Sequence, residues 1–140
     1  PHRAYFGQKD FQQTVVVKKL VNITSLNTKI CVVPIKREPN GLAMSSRNSY
    51  LTSEQRSDAL FINRSLRAGQ ELVGQGVLNS DSITQAVIST LRQAQSVRLD
   101  YVEIVDRNTL EPMDEIISNQ SMIVLAVWID KVRLIDNLIL

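Results

Sequence analysis

The sequence holds one cysteine, one histidine and one tryptophan in 140 residues. A lone Cys31 cannot close an internal disulfide, so a crosslinked secreted scaffold is excluded and a reducing cytoplasm is the expected setting. A lone histidine, His2, leaves no Cys/His cluster with metal-ligand spacing, so no protein metal site is expected. It also leaves Ser45 and Ser46 without the base that a Ser-His-Asp triad needs. The longest apolar run, Met122 to Ile129, is too short to span a bilayer, so no membrane partner is expected. Charge of one sign is missing too. Sixteen Lys and Arg face fourteen Asp and Glu, and the basic residues are spread along the chain, which speaks against a nucleic-acid partner. No secretory leader pattern is visible. The first residue is Pro1, within a motif-like segment, so the chain reads as a fragment of something longer.

What is present is enough for a folded domain. The chain is 44% hydrophobic and 21% charged, which fits a globular protein with a buried core rather than a disordered one. Residues 1 to 8 read as loop. Asp10 is placed to cap a following helix over Phe11 to Leu20, with Phe11, Val15 and Val16 apolar and Lys18-Lys19 near its end. Lys29 to Ile35 (KICVVPI) reads as a short buried strand. One helix and one strand cannot make a sheet, so this part reads as the last helix–strand unit of a larger Rossmann-like α/β domain, about residues 1–38.

The remainder, residues 39–140, reads as a small α+β domain with two helices against an antiparallel sheet. Lys36 to Tyr50 is polar and aperiodic, a loop. Thr52-Ser53-Glu54-Gln55 has the capping-box pattern, and the helix after it carries Ala59, Ile62, Leu66 and Val73 on one stripe before Gly74 and Gly76. A second helix starts near Ser80 with Ile83, Val87, Ile88 and Leu91. Leu99 to Asp106, Ser121 to Ile129 and Val132 to Leu138 read as strands, the last two joined by a tight turn at Asp130-Lys131. Trp128 and Tyr101 are expected in the core. Asp114, Glu115, Asp130 and Asp136 are expected on solvated faces.

Two polar clusters carry candidate chemistry. The first, Phe6-Gly7-Gln8-Lys9-Asp10-Phe11-Gln12-Gln13, lies at a helix N-terminus, where backbone N–H groups and a Lys favour anions. Gly7 lets a ligand approach the backbone, Asp10 can hold sugar hydroxyls, and Gln12 or Gln13 can grip a polar substrate. Spacing alone favours the plainer alternative, a capped surface helix with solvated Lys and Gln. The second, Gly41-Leu42-Ala43-Met44-Ser45-Ser46-Arg47-Asn48, offers two hydroxyls and a guanidinium to phosphate oxygens on a Gly-containing loop able to close over them. Composition alone favours an ordinary polar linker there.

Both clusters resemble one family. FGQKDFQQ resembles the pantothenate synthetase pattern FGxKDxQQ, and NGLAMSSRNSYL resembles its DGLAxSSRNxYL, with Arg37-Glu38 just ahead. DYVEIVD at 100–106, TLEP at 109–112 and RLIDN at 133–137 match in the same order, so the resemblance spans essentially the whole chain. It implies a ligase that joins pantoate to β-alanine with ATP through pantoyl adenylate. It also implies roles. Lys9 would contact the phosphates, Asp10 the ribose and Gln13 pantoate, with Gly7 close by. The backbone around Lys36 and Met44 would face the adenine, and Ser45, Ser46 and Arg47 would hold the triphosphate. Mg²⁺ would ride mainly on the phosphates. Lys9, Ser45, Ser46 and Arg47 are the residues expected to act in the chemistry.

The chain departs from the family pattern at Gln8, usually Glu, at Asn40, usually Asp, and at Asp130-Lys131, where Gly is common. The family's HxGH-type motif, a second pantoate-binding Gln and most of the parallel sheet have no counterpart here. The chain therefore resembles a C-terminal portion, inactive alone, of an enzyme expected to be a homodimer. Two alternatives stand beside this reading: a stand-alone nucleotide-binding or regulatory module, and a different adenylate-forming transferase.

Overall fold

The computed structural model describes residues 1–140. In chain order it runs β1 (Arg3–Gly7), a 3-10 turn (Gln8–Asp10), α1 (Phe11–Ile23), β2 (Lys29–Val33), a second 3-10 turn (Ser46–Tyr50), α2 (Ser53–Gly74), α3 (Ser80–Leu91), β3 (Val97–Asp106), β4 (Ser121–Ile129) and β5 (Val132–Ile139). The last three strands form an antiparallel sheet in the order β3-β4-β5. β4 is apolar almost throughout because it is the middle strand and both of its faces are covered. Ile123, Leu125, Val127 and Ile129 point into the main core with α2 and α3. Met122 and Val124 point the other way, onto Phe11 and Val15 of α1. This two-residue alternation puts α1 on the opposite sheet face from α2 and α3.

The helices start where local chemistry says they should. Thr52 Oγ1 accepts from the Gln55 N–H at 3.3 Å, and Gln55 Oε1 accepts from the Thr52 N–H at 3.0 Å, a complete capping box for α2. Asn79 Oδ1 accepts from the Ser82 N–H at 2.9 Å and caps α3. Ala59, Ile62 and Leu66 of α2 and Ile83, Val87 and Leu91 of α3 are buried against the sheet. Each large one contributes about 1.5–3 kcal/mol by leaving water. The turn between β4 and β5 is Asp130-Lys131 as expected, with Asp130 in the left-handed region (φ 52°), which a short polar side chain tolerates.

Four expectations are corrected. Residues 1 to 8 are not loop: Arg3–Gly7 is a strand, parallel to β2 with Arg3 opposite Lys29 and Gly7 opposite Val33. The helix–strand unit is thus a strand–helix–strand unit, with α1 as the crossover a parallel pair requires. α1 is also longer than expected, running to Ile23. Tyr101 and Trp128 are half-buried rather than core. Arg133 lies 5.9 Å above the Tyr101 ring and Arg98 lies 5.8 Å above the Trp128 ring. Asp136 is not solvated but 2% exposed. The outer side of the β1–α1–β2 unit leaves Tyr5, Val16, Leu20 and Ile23 exposed. No helix is long and apolar enough to cross a membrane.

Candidate active site

β1 ends at Gly7, and the chain turns through Gln8–Asp10 straight into α1. The Asp10 side chain makes no capping bond, contrary to expectation, so its carboxylate stays exposed at the mouth of a cavity. That cavity is about 280 Å³ and is lined by Lys9, Asp10, Gln12, Gln13, Asp136 and Asn137, among others. The cluster expected at a helix N-terminus therefore does converge on one space, with Gln13 on its wall. Gly7 has ordinary extended backbone (φ −73°, ψ 135°), and a Cβ built there would meet nothing within 4 Å. The fold itself does not require glycine at this position.

Lys9 is half-buried and makes no ion pair. Burial pushes its pKa below the ordinary 10.5. Asp10 and Asp136 oppose that shift, and the nearby Arg47 guanidinium adds to it. Lys9 and Arg47 are 38 positions apart in sequence, and the turns that carry them both pack on β5.

The segment 36–50 is a loop, as expected, but an internally bonded one that ends in the 3-10 turn. Arg37 and Ala43 bridge, and the Met44 N–H donates to the Lys36 carbonyl at 2.9 Å. Gly41 turns this hairpin with φ 93°. A Cβ there would also meet the Asn63 side-chain amide, which would have to move aside, and the positive φ alone favours glycine. Buried Asn48 anchors the far end, its Nδ2 donating to the Ala43 carbonyl at 3.1 Å and to Glu38 Oε1 at 3.0 Å. Glu38 also receives Arg56 at 2.6 Å. The Asn48 bond first, and Arg56 after it, hold the Glu38 carboxyl below its ordinary range against the opposing effect of burial. On this frame Ser45 Oγ accepts from the Arg47 N–H at 3.2 Å, while Ser46 and Arg47 are exposed. Arg47 also borders a second recess with Tyr50, Trp128, Lys131 and Arg133.

Four residues of this region were given no site role by the sequence reading: Gln8, Arg37, Asp136 and Asn137. Asp136 takes two bonds from Arg37, Nη1 to Oδ2 at 2.6 Å and Nη2 to Oδ1 at 2.9 Å. Asn137 Nδ2 donates to the carbonyls of Gln8 at 2.9 Å and Lys9 at 3.1 Å, and its Oδ1 accepts from Gln8 Nε2 at 3.2 Å. The available signal was two adjacent polar residues inside a mostly apolar strand.

A family model described as pantoate-beta-alanine ligase matches residues 1–139. The pantothenate synthetase of Thermotoga neapolitana is 46% identical over 140 residues, covering 100% of this chain and 50% of that protein. The crystal structure of the Thermus thermophilus pantothenate synthetase superposes with a TM-score of 0.93 at 39% identity, covering 99% of this chain and 49% of that one. A Francisella tularensis pantoate-beta-alanine ligase, complexed with beta-gamma ATP and beta-alanine, gives 0.67 at 35% identity over 99% of this chain and 44% of that one. The chain spans about half the length of the curated relatives it matches. With residues 1–139 of its 140 matched by that family model, the chain belongs to the pantoate-beta-alanine ligase family.

Proposed function

We propose that this chain supplies the C-terminal part of an ATP-dependent ligase that condenses pantoate with β-alanine. The observation that carries the reading is that the Gln8–Asp10 turn and the Ser46–Tyr50 turn, which hold Lys9, Asp10, Ser46 and Arg47, both pack against one edge strand, β5. In the first step a pantoate carboxylate oxygen attacks the α-phosphorus of ATP, the bond to the bridging oxygen breaks, and pyrophosphate leaves. In the second step the β-alanine amine attacks the acyl carbon, AMP leaves with the bonding pair, and the amine loses a proton. Neither step needs a nucleophile from the protein. Both need positioning and charge stabilisation.

The roles follow from chemistry and place. Lys9, Ser46 and Arg47 face phosphate oxygens, with Ser45 ordering the turn that presents them. Asp10, free of a capping bond, accepts from ribose hydroxyls, and Gln13 binds pantoate from the cavity wall. Gly7 leaves room for the nucleotide against the backbone. The adenine lies along the Lys36–Met44 strand pair. Because the Met44 N–H is already given to the Lys36 carbonyl, other backbone groups of that pair must read the base. No three His, Cys, Asp or Glu side chains converge. A Mg²⁺ would be held by the phosphate oxygens and would neutralise their charge, with Asp10 the nearest carboxylate among the proposed ligand contacts.

Residues 1–38 belong, in this reading, to a nucleotide-binding α/β layer, and 39–140 form the domain that closes on it. The exposed Val16, Leu20 and Ile23 on α1 suit a helix covered by the rest of that layer. The chain alone is then inactive, and the full protein is a cytoplasmic homodimer. The test is AMP formation by the full-length protein. It should require both pantoate and β-alanine, and turnover that needs neither would sink the proposal.

A pH dependence follows from Lys9. Its ammonium form is the one that binds phosphate, and its pKa is depressed in the free protein. kcat/KM for ATP should therefore fall on the alkaline side below the ordinary lysine value of 10.5. Lys9→Arg, which stays charged, should move that limb upward. An alkaline limb identical in the two proteins would remove Lys9 from the phosphate site.

A further inference from the structure

β5 places two polar residues side by side in a buried position, Asp136 at 2% and Asn137 at 3% exposure. Neighbours in a strand point to opposite faces. Asp136 lies opposite Leu125, on the α2–α3 side, and Asn137 lies opposite Val124, on the α1 side. Each therefore reaches a different element of the candidate site. Asn137 holds the Gln8 and Lys9 carbonyls and so fixes the turn that presents Lys9 and Asp10. Asp136 holds Arg37, whose Nη1 also donates to the Gly41 carbonyl at 3.1 Å, at the tip of the hairpin that leads into Ser45–Arg47. The Asn137 N–H donates to Asp136 Oδ1 at 2.8 Å and joins the two halves.

Resting on the ligase reading above, we propose that Asp136 and Asn137 are positioning residues for adenylation, a single dipeptide that sets the spacing between the Lys9 turn and the Ser45–Arg47 loop. Stability alone does not call for this pair. Two polar side chains are desolvated where apolar ones of similar volume would fit, and such replacements are often neutral or stabilising. Their bonds instead end on the two elements that carry the proposed phosphate contacts. The Asn137 amide is also fixed in orientation, since only its NH₂ can serve two carbonyls. Neither residue touches phosphate. They act through Lys9 and through the loop.

The test is a double-mutant cycle in the full-length enzyme, read by pantoate-dependent exchange of pyrophosphate into ATP below the melting temperature of every variant. Asn137→Leu, of similar volume, should slow exchange by about 10- to 10²-fold, the scale of a misplaced catalytic group. In a Lys9→Ala background the same change should cost almost nothing more, because its effect runs through Lys9. Asn137→Ser, which keeps one donor, should fall between the two rates, and it carries the same cycle if the Leu variant does not fold. Asp136→Asn should show the same non-additivity with Arg47→Ala. Normal exchange in the Asn137 variants overturns the proposal, as does a loss that recurs undiminished in the Lys9→Ala background. Failure of the underlying reading looks different: the unmodified enzyme then shows no pantoate-dependent exchange, or Lys9→Ala leaves it intact.

Discussion

Lys9→Ala or Arg47→Ala in the full-length enzyme should each lower the adenylation rate by at least about 10²-fold, the cost of losing one preorganised charge contact. The two cations stand on different segments that both pack against β5. Lys9 stands on the turn after β1, and Arg47 stands on a 3-10 turn pinned from beneath by buried Asn48. Neither is paired with a carboxylate, so their charge is available where the triphosphate gathers negative charge. Lysine and arginine are not equivalent here. Arg47→Lys keeps the charge but loses the planar fork, and should recover only part of the rate. Stopped-flow or exchange kinetics on the purified variants measure this. Near-normal adenylation in both alanine variants would refute the phosphate assignments.

Arg37→Met should destabilise the protein by about 3–5 kcal/mol, the usual cost of stranding one member of a buried ion pair. The Asp136 side chain is 1% exposed and that of Arg37 20%, so losing the guanidinium leaves a largely desolvated carboxylate without its partner. Total stability of an ordinary domain is only about 5–15 kcal/mol, so the loss is large. Adding Asp136→Leu should restore most of the stability while leaving adenylation slow. That separation of folding from rate marks the pair as serving the site. Urea unfolding of the single and double variants, with m-values compared, checks it.

How far the sequence disclosed this molecule depended on how local each signal was. β4 was readable to its end residues, because a strand buried on both faces must be a continuous apolar run. α2 was readable because its capping box lies within one short stretch, Thr52 to Gln55. β1 was not readable. It is five residues long, ends in glycine, and its partner β2 lies beyond α1, so only the fold reveals the pairing. Asp136 looked like a solvated acid because its partner Arg37 is 99 positions away. Asp10 looked like a helix cap because local spacing allowed it, yet the preceding 3-10 turn already leads into α1 and leaves the carboxylate free.

The same contrast runs through the site. Lys9, Asp10 and Gln13 could be named together since they sit on one turn and the helix it enters. Ser45, Ser46 and Arg47 could be named for their donors, but not the scaffold that presents them. That scaffold is the bridged hairpin at Arg37 and Ala43, the Gly41 turn against Asn63, and the Asn48–Glu38–Arg56 network. Resemblance to a family supplied the roles. The structure supplied the strand, β5, on which both clusters are hung.

The central claim is that the Lys9 turn and the Ser45–Arg47 loop together bind the phosphates of ATP while pantoate is activated. Incubating the full-length protein with ATP, Mg²⁺ and labelled pyrophosphate, without β-alanine, tests it most directly. Label should enter ATP only when pantoate is present, and the incorporation should be lost in Lys9→Ala and Arg47→Ala. Incorporation that ignores pantoate, or that survives both substitutions, would contradict the account.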